Sequence, residues 1–277
     1  MKQDVSCNDK ELEKIKFEAL SMHQKNRFDK AIIGYKKLLK KGLKDKEVYF
    51  NIYQIYKSQL RIKDSFIIYK KIIKDTNISF SEITIDYVTF LLNKGQEELS
   101  NKIIFESIEE KQSDESVISF YAKILQEKEN YDLALDLLKK GLDIYPSSII
   151  LLANSAYILQ SQKKYELAIK YYKKALNLKS EDSVLLFNIA NCFEESFDFE
   201  SAIYYYKKAL LVNSNIPEAN RALGMIYLNM QEIKLAKHYL KKCLSSDSKN
   251  FAATITLMKL SADICDWEST KNFFKKI

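Results

Sequence analysis

Glycine and proline are scarce in this chain, which has five glycines and two prolines among 277 residues. Sheet proteins need these residues in their many tight turns, whereas long helices do without them. The four cysteines form no Cys-x-x-Cys pair, so we expect reduced thiols in a cytoplasmic protein. No apolar run approaches the ~20 residues that a membrane-spanning helix requires. A hydrophobic content of 47% nevertheless excludes a disordered tail.

Motifs for catalysis and for ligand chemistry are also lacking. The only histidines, His23 and His238, are far apart in the sequence, and we find no glycine-rich phosphate loop, metal-ligand spacing or nucleophile elbow. The first 14 residues contain no apolar stretch typical of a signal peptide. The formal charge of +7 is less than a dedicated nucleic-acid-binding protein usually carries. The sequence therefore predicts neither an enzyme nor a protein that binds a cofactor or metal.

What the sequence has is a repeat. The stretch YELAIKYYKKALNL, which begins at Tyr165, returns 34 residues later as FESAIYYYKKALLV, beginning at Phe199. Further copies keep this period along the chain, which is the most informative signal that a single sequence can give. After a polar lead at 1–11, the period divides one continuous repeat domain at 12–277 into units 12–45, 46–79, 81–114, 115–148, 149–182, 183–216, 217–250 and a partial unit 251–277.

Each unit contains two apolar stripes at helical spacing. Counting from the first residue of a unit, the first half has apolar residues at positions 4, 7, 8 and 11, and the second half at positions 20, 24 and 27. Position 20 is small and position 24 is bulky, so that neighbouring helices approach closely and the larger side chain fills the adjoining gap. Each unit is thus predicted to be a pair of amphipathic helices that must stack on its neighbours.

These residues resemble the tetratricopeptide repeat, in which position 8 is small, position 11 aromatic, position 20 alanine and position 24 aromatic. The resemblance implies an all-α fold, an α-solenoid wound as a right-handed superhelix with a concave groove for extended peptides. The family's tryptophan at position 4 is absent, and its proline at position 32 survives only as Pro146. Ser180, Ser214 and Ser248 replace that proline, and we expect them to cap the following helices. The third unit is divergent, so we expect a local irregularity near residues 80–100.

Candidate binding residues lie on the first helix of each unit, opposite the apolar stripe, on the face that lines the concave groove in the family. Asparagine recurs there at position 6, and its amide can donate to and accept from a peptide backbone. The alternative is that these side chains only occupy a solvated face. The candidates are Asn51, Gln54, Lys123, Asn154, Tyr157, Asn188, Asn191, Arg221 and Lys259.

Lysine pairs recur at positions 25 and 26 of nearly every unit, for example Lys173-Lys174 and Lys207-Lys208. A stripe of lysines could attract RNA, an anionic membrane or an acidic partner. Lysine also suits a solvated face and the last turns of a helix. We favour the solvated face and consider nucleic acid unlikely as a partner, because the aromatic residues that would stack on bases are predicted to point into the core.

The last residues of the chain allow two further interpretations. Cys265, Asp266 and Trp267 resemble the junction between repeats and catalytic region in O-linked N-acetylglucosamine transferases, although the repeat itself also explains them. Phe273, Phe274 and Ile277 leave an apolar end, which suggests a longer protein or docking on a partner or a second copy. The leading prediction is a non-catalytic scaffold that binds a peptide or partner protein. The alternatives are the substrate-recruiting arm of such a glycosyltransferase and, more weakly, an RNA- or membrane-associated repeat protein.

Overall fold

The computed structural model describes residues 3–43, 45–76, 80–110 and 113–263. Over these residues the chain forms fifteen helices and no strand. The helices are α1 (Gln3–Gln24), α2 (Phe28–Lys40), α3 (Lys46–Ser58), α4 (Ile62–Asp75), α5 (Phe80–Asn93), α6 (Glu97–Glu109), α7 (Glu115–Glu127), α8 (Tyr131–Ile144), α9 (Ile149–Ser161), α10 (Tyr165–Leu178), α11 (Ser183–Glu195), α12 (Phe199–Val212), α13 (Pro217–Asn229), α14 (Ile233–Ser246) and α15 (Phe251–Asp263).

The helices form two compact units, Met1–Phe120 and Tyr121–Ile277, and the division falls within α7. In the first, α1 packs on α2 and α3 on α4. In the second, α9 packs on α10, α11 on α12 and α13 on α14, and each pair also packs on the next. A three-residue turn joins the two helices of each of these pairs, so they run antiparallel. The predicted all-α fold of stacked helix pairs is thereby confirmed within each of the two compact units.

The core consists of the small and bulky residues that the period marks. Every described residue at position 20 is fully buried, including the serines Ser65 and Ser100, whose hydroxyls donate to backbone carbonyls. The bulky residues four positions later have at most 2% of their surface exposed and are Tyr35, Tyr69, Ile104, Leu138, Tyr172, Tyr206 and Leu240. Both core predictions are therefore confirmed.

The expected serine caps are wrong. The residue that caps α11 is Asp182, whose side chain accepts from the backbone N–H groups of Val184 and Leu185. Helix α13 has Ile216 at its N-cap, with no side-chain cap, and Asn250 accepts from the N–H of Ala253 at the start of α15. A capping side chain must stand directly before the first helical residue. The serines at position 32 stand two residues before the N-cap position, so they are too far from the helix to cap it.

The irregularity expected near residues 80–100 is wrong as well. The described residues there form two regular helices, α5 and α6, and the turn between them has the same form as the other turns. Each turn contains one residue with positive φ at position 15, and in this unit that residue is Gly95 (φ 68°). The six other described units place a residue with a side chain there: Asn26, Leu60, Glu129, Lys163, Phe197 and Gln231.

These turns close α11 and its counterparts in a Schellman motif. The N–H of Phe197 donates to the carbonyl of Glu194, and the N–H of Asp198 donates to that of Phe193. The motif requires the left-handed conformation at Phe197, which has φ 64° and a side chain that is 79% exposed. Because Cβ crowds the backbone in this conformation, every turn except that at Gly95 carries a steric cost.

We expect Phe197→Gly to raise the free energy of unfolding by about 0.5–1 kcal/mol, since glycine removes the left-handed penalty of ~1–2 kcal/mol and gives back part of it as chain entropy. Thermal or urea unfolding measures the change. Phe197→Ala is the control, because alanine removes the exposed ring but keeps Cβ. Equal stabilities of the glycine and alanine variants would contradict the strain at this turn.

Candidate functional site

The nine predicted residues all lie on first helices, at the following places. Asn51 and Gln54 are half-buried on α3, and Lys123 is exposed on α7, where its Nζ lies 3.9 Å from Glu127 Oε1. Arg221 is half-buried on α13, and Lys259 is exposed on α15. The other four belong to α9 and α11, and are Asn154, Tyr157, Asn188 and Asn191.

Helices α9 and α11 together carry an uncharged surface, which we call the α9–α11 strip. It consists of the residues at positions 2, 6 and 9 of two successive units: Ile150, Asn154, Tyr157, Val184, Asn188 and Asn191. Both helices contribute to one hydrophobic core with α10, which fixes them as neighbours. Ile150 is 46% exposed, Tyr157 50% and Val184 64%. Apolar groups and amides, rather than charges, are thus available here to a ligand, although 29% of the chain's residues are charged.

The amides of the candidate site differ in their hydrogen bonds. Asn51, Gln54 and Asn188 have no hydrogen-bond partner among the described residues. Asn191 does, because its Oδ1 accepts from the hydroxyl of the buried Tyr206. An asparagine without an internal partner offers both a donor and an acceptor to a peptide group. Within the strip, Asn188 is therefore better placed than Asn191 to bind one.

The carboxylate of Glu194 lies near Asn191, although the sequence pattern did not single it out as a candidate. The hydroxyl of Tyr206 also contacts Glu194 Oε2, and since it has one proton it donates to one of the two oxygens at a time. Burial, together with the hydrogen bond and charge of Glu194, raises the pKa of Tyr206, while the guanidinium of Arg221 opposes the rise. Asn191 and Glu194 thus contact one buried tyrosine at the end of the strip, and the charge of Arg221 acts on its hydroxyl. Glu194 lies at position 12 of its repeat, whereas the candidates on the same helix, Asn188 and Asn191, lie at positions 6 and 9.

A second candidate surface lies in the compact unit Met1–Phe120, where a cavity of about 360 Å³ opens between α3 and α5. Phe50, the residue before Asn51, provides an exposed apolar part of its lining. Lys57 Nζ lies 2.6 Å from Asp86 Oδ2, and Lys16 Nζ lies 2.8 Å from Glu47 Oε2. Two of the carboxylates at this cavity therefore already have cationic partners, and its charges are largely balanced.

The lysine pairs contact the protein's own aromatic rings. Lys173 Nζ lies 5.7 Å from the ring centroids of Phe193 and Tyr205, so this lysine at position 25 reaches across to the next repeat. Lys70 at the same position lies instead over Phe66 of its own helix. The lysine at position 26 lies over a ring of its own helix, as Lys208 does over Tyr204 at 5.0 Å. These distances are within the range of cation–π attraction. They explain why lysine and tyrosine recur together, and they support a structural role for the pairs.

One expectation about this stripe is wrong. Tyr204 does not point into the core, since 53% of its surface is exposed. The last lysine pair, Lys275-Lys276, lies outside the described residues, as do Cys265, Asp266, Trp267, Phe273, Phe274 and Ile277.

Cys192 and Cys243, the cysteines whose side chains the structure describes, have no reactive character. Cys192 and Cys243 are both buried, and burial raises the pKa of the Cys192 thiol to about 12. The thiolate form that acts as a nucleophile is therefore rare at neutral pH. Among the described residues, no three histidine, cysteine or acidic side chains are grouped so that they could hold a metal ion. None of the helices of the described part is long and apolar enough to cross a membrane.

The arrangement defines a helical-repeat protein, a class that is typically non-catalytic and generally serves protein–protein interaction. Its repeats resemble tetratricopeptide repeats. Models of that family match residues 147–210 and 218–250, and the resemblance seen in the sequence is confirmed there. Comparison with curated proteins gives no match.

Solved tetratricopeptide-repeat structures share the fold. The C-terminal part of a TPR repeat-containing protein from Cytophaga hutchinsonii superposes with a TM-score of 0.62 and 18% identity, covering 86% of this chain and 97% of that one. YrrB, described as a TPR protein with an unusual peptide-binding site, gives 0.50 and 20%, covering 62% and 89%. The human IFIT1 dimer with PPP-AAAA gives 0.56 and 18%, covering 90% and 64%. At these identities the likeness concerns the fold.

Proposed function

We propose that this protein is an interaction scaffold that binds an extended peptide segment of a partner protein on the α9–α11 strip. The observation that carries the proposal is the recurrence of asparagine at the same position of two neighbouring helices, within a surface that has no charge. An extended peptide repeats its N–H and C=O groups along its length, and amides spaced along the strip can bind them.

The side chains around the asparagines indicate which peptides would fit. Ile150 and Val184 are exposed aliphatic residues, and Tyr157 presents an exposed ring with a hydroxyl. Apolar side chains of a ligand would bury surface against them. Away from the end of the strip, where Glu194 and Arg221 lie, a charged side chain would lose hydration without finding a counter-charge. We therefore propose a partner segment that is extended and uncharged where it crosses the strip. Peptide binding by a protein of this fold has a precedent in YrrB.

Replacing both asparagines, Asn154→Ala with Asn188→Ala, is expected to weaken partner binding about five- to 150-fold, since each lost amide contact contributes about 0.5–1.5 kcal/mol. Affinity purification followed by quantitative mass spectrometry, with wild type and variant compared side by side, measures it. Asn177→Ala is the matched control, because Asn177 is exposed on the second helix α10. Unchanged recovery with the double variant, or an equal loss with the control, would refute the proposal.

RNA or an anionic membrane is the less favoured ligand. The lysines that would attract a polyanion lie over aromatic rings of the protein itself, as at Lys173 and Lys207. Electrostatic binding to RNA weakens steeply with salt. Partner recovery that is equal at low and moderate salt supports the peptide scaffold.

A further inference from the structure

Clefts separate successive second helices in the unit Tyr121–Ile277, and the residue at position 4 of the intervening first helix lines each of them. This is the position at which the repeat family has tryptophan and this chain does not. The cleft between α8 and α10 has Leu152 at this place and Leu178 and Pro146 nearby, and we call it the Leu152 cleft. The cleft between α12 and α14 has Asn220, and we call it the Asn220 cleft.

Asn220 is a polar residue in an apolar position. Only 2% of its surface is exposed, and the equivalent residues of the two preceding units are Leu152 and Leu186. Its Nδ2 donates to the carbonyl of Ile216 at 3.3 Å, which fixes the orientation of the amide. Its Oδ1 is buried and has no hydrogen-bond partner. A buried acceptor without a donor destabilises the folded state, and residues that break a packing rule in this way are expected at functional sites.

The walls of the Asn220 cleft are polar and carry a cation. Besides Leu210, they consist of Ser214, Asn215, Lys242, Ser245 and Ser246, and no carboxylate lines the cleft. Lys242 forms no salt bridge with any described residue, and its Nζ lies 5.8 Å from the centroid of the Tyr239 ring. In the Leu152 cleft, by contrast, Asp143 accompanies Lys174, the counterpart of Lys242.

We propose that the Asn220 cleft is a binding site for a small hydroxylated organic anion of the sugar-phosphate kind. When the Asn220 amide turns toward the cleft, a ligand hydroxyl supplies the donor that its buried Oδ1 lacks. The Ser245 hydroxyl already donates to the carbonyl of Lys242, so it accepts from the ligand. The anionic group of the ligand faces Lys242, where no carboxylate repels it. The cavity of about 330 Å³ lies at the small end of the range of small-molecule sites.

The test is isothermal titration calorimetry of the full chain with glucose 6-phosphate, with glucose and with inorganic phosphate. We expect glucose 6-phosphate to bind more tightly than either of the other two. Asn220→Leu and Lys242→Met should each weaken it at least ~tenfold. Lys174→Met, at the equivalent position of the Leu152 cleft, is the matched control and should leave the affinity unchanged.

Three results would overturn the site: no binding of glucose 6-phosphate, equal binding of inorganic phosphate, or unchanged affinity in Asn220→Leu. The first would show that the cleft holds only water, and the second that Lys242 attracts any anion. Ser246→Ala repeats the test if Asn220→Leu does not fold. The proposal does not depend on the α9–α11 strip, so the Asn154→Ala, Asn188→Ala variant should bind glucose 6-phosphate as the wild type does.

Discussion

Replacing Tyr206 with alanine is expected to lower the free energy of unfolding by about 3–5 kcal/mol, as for other large aromatic residues that are removed from a core. Tyr206 is fully buried in the cluster that joins α11, α12, α13 and α14, and its ring lies 5.6 Å from that of Phe187. The substitution leaves a cavity and removes the hydroxyl that contacts Asn191 and Glu194. Urea unfolding followed by circular dichroism measures the loss.

Two further variants make this result interpretable. Tyr204→Ala removes the same side chain from the same helix at an exposed position and should cost less than ~1 kcal/mol. Tyr206→Phe keeps the ring and removes only the hydroxyl, so it should cost about 0.5–1.5 kcal/mol. If Tyr206→Ala costs no more than Tyr204→Ala, position 24 is not the core position that the repeat defines.

Gly224→Ala is expected to lower the free energy of unfolding by about 1–3 kcal/mol, although alanine is the better helix former by ~1 kcal/mol. A Cβ at Gly224 would lie 2.7 Å from Cγ and 2.8 Å from Cδ2 of Leu240, and 3.4 Å from the carbonyl oxygen of Ala236. The two distances to Leu240 are shorter than van der Waals contact, so α13 and α14 must separate or Leu240 must leave its rotamer. Thermal unfolding measures the cost.

A double-mutant cycle with Leu240→Ala identifies the cause of this loss. In the Leu240→Ala background the clash is gone, and Gly224→Ala should be neutral or stabilising because only helix propensity remains. A stabilising effect of Gly224→Ala in the wild-type chain would show that the two helices do not approach as closely as described.

Periodicity predicted the fold well because it reports burial. A small residue at position 20 and a bulky residue at position 24 recur in the repeats because each helix pair packs on the next in the same way. The sequence therefore identified Ala168 and Tyr172, or Ala202 and Tyr206, as core residues without any knowledge of their contacts.

Features that depend on single contacts were not predictable in this way. Asp182 rather than Ser180 caps α11 because capping depends on the one residue that precedes the helix. The left-handed residue at position 15 has no sequence signature, since only Gly95 among these residues is a glycine. The antiparallel packing of each pair imposes that conformation against the residues' own preference.

In the candidate site as well, the sequence predicted which face of a helix a residue lies on but not which side chains it contacts. The helical period placed Asn154, Asn188 and Asn191 on first helices, away from the apolar stripe. It could not show that Asn191 bonds to Tyr206, because that contact joins two helices whose relative rotation the period leaves open. The unpaired Oδ1 of Asn220 was missed for a similar reason, although a polar residue at an apolar position was a visible signal.

We propose that the α9–α11 strip on the first helices, and not the tyrosine- and lysine-rich face of the second helices, binds the partner peptide. Tyr157 and Tyr204 allow a matched comparison, since one lies on each surface and their exposed fractions are 50% and 53%. Each is replaced in turn by the photo-crosslinking residue p-benzoylphenylalanine, and crosslinks to partner proteins are quantified. We expect crosslinks from position 157 that disappear in the Asn154→Ala, Asn188→Ala variant, and few crosslinks from position 204. Efficient crosslinking from position 204 with none from position 157 would contradict the proposal.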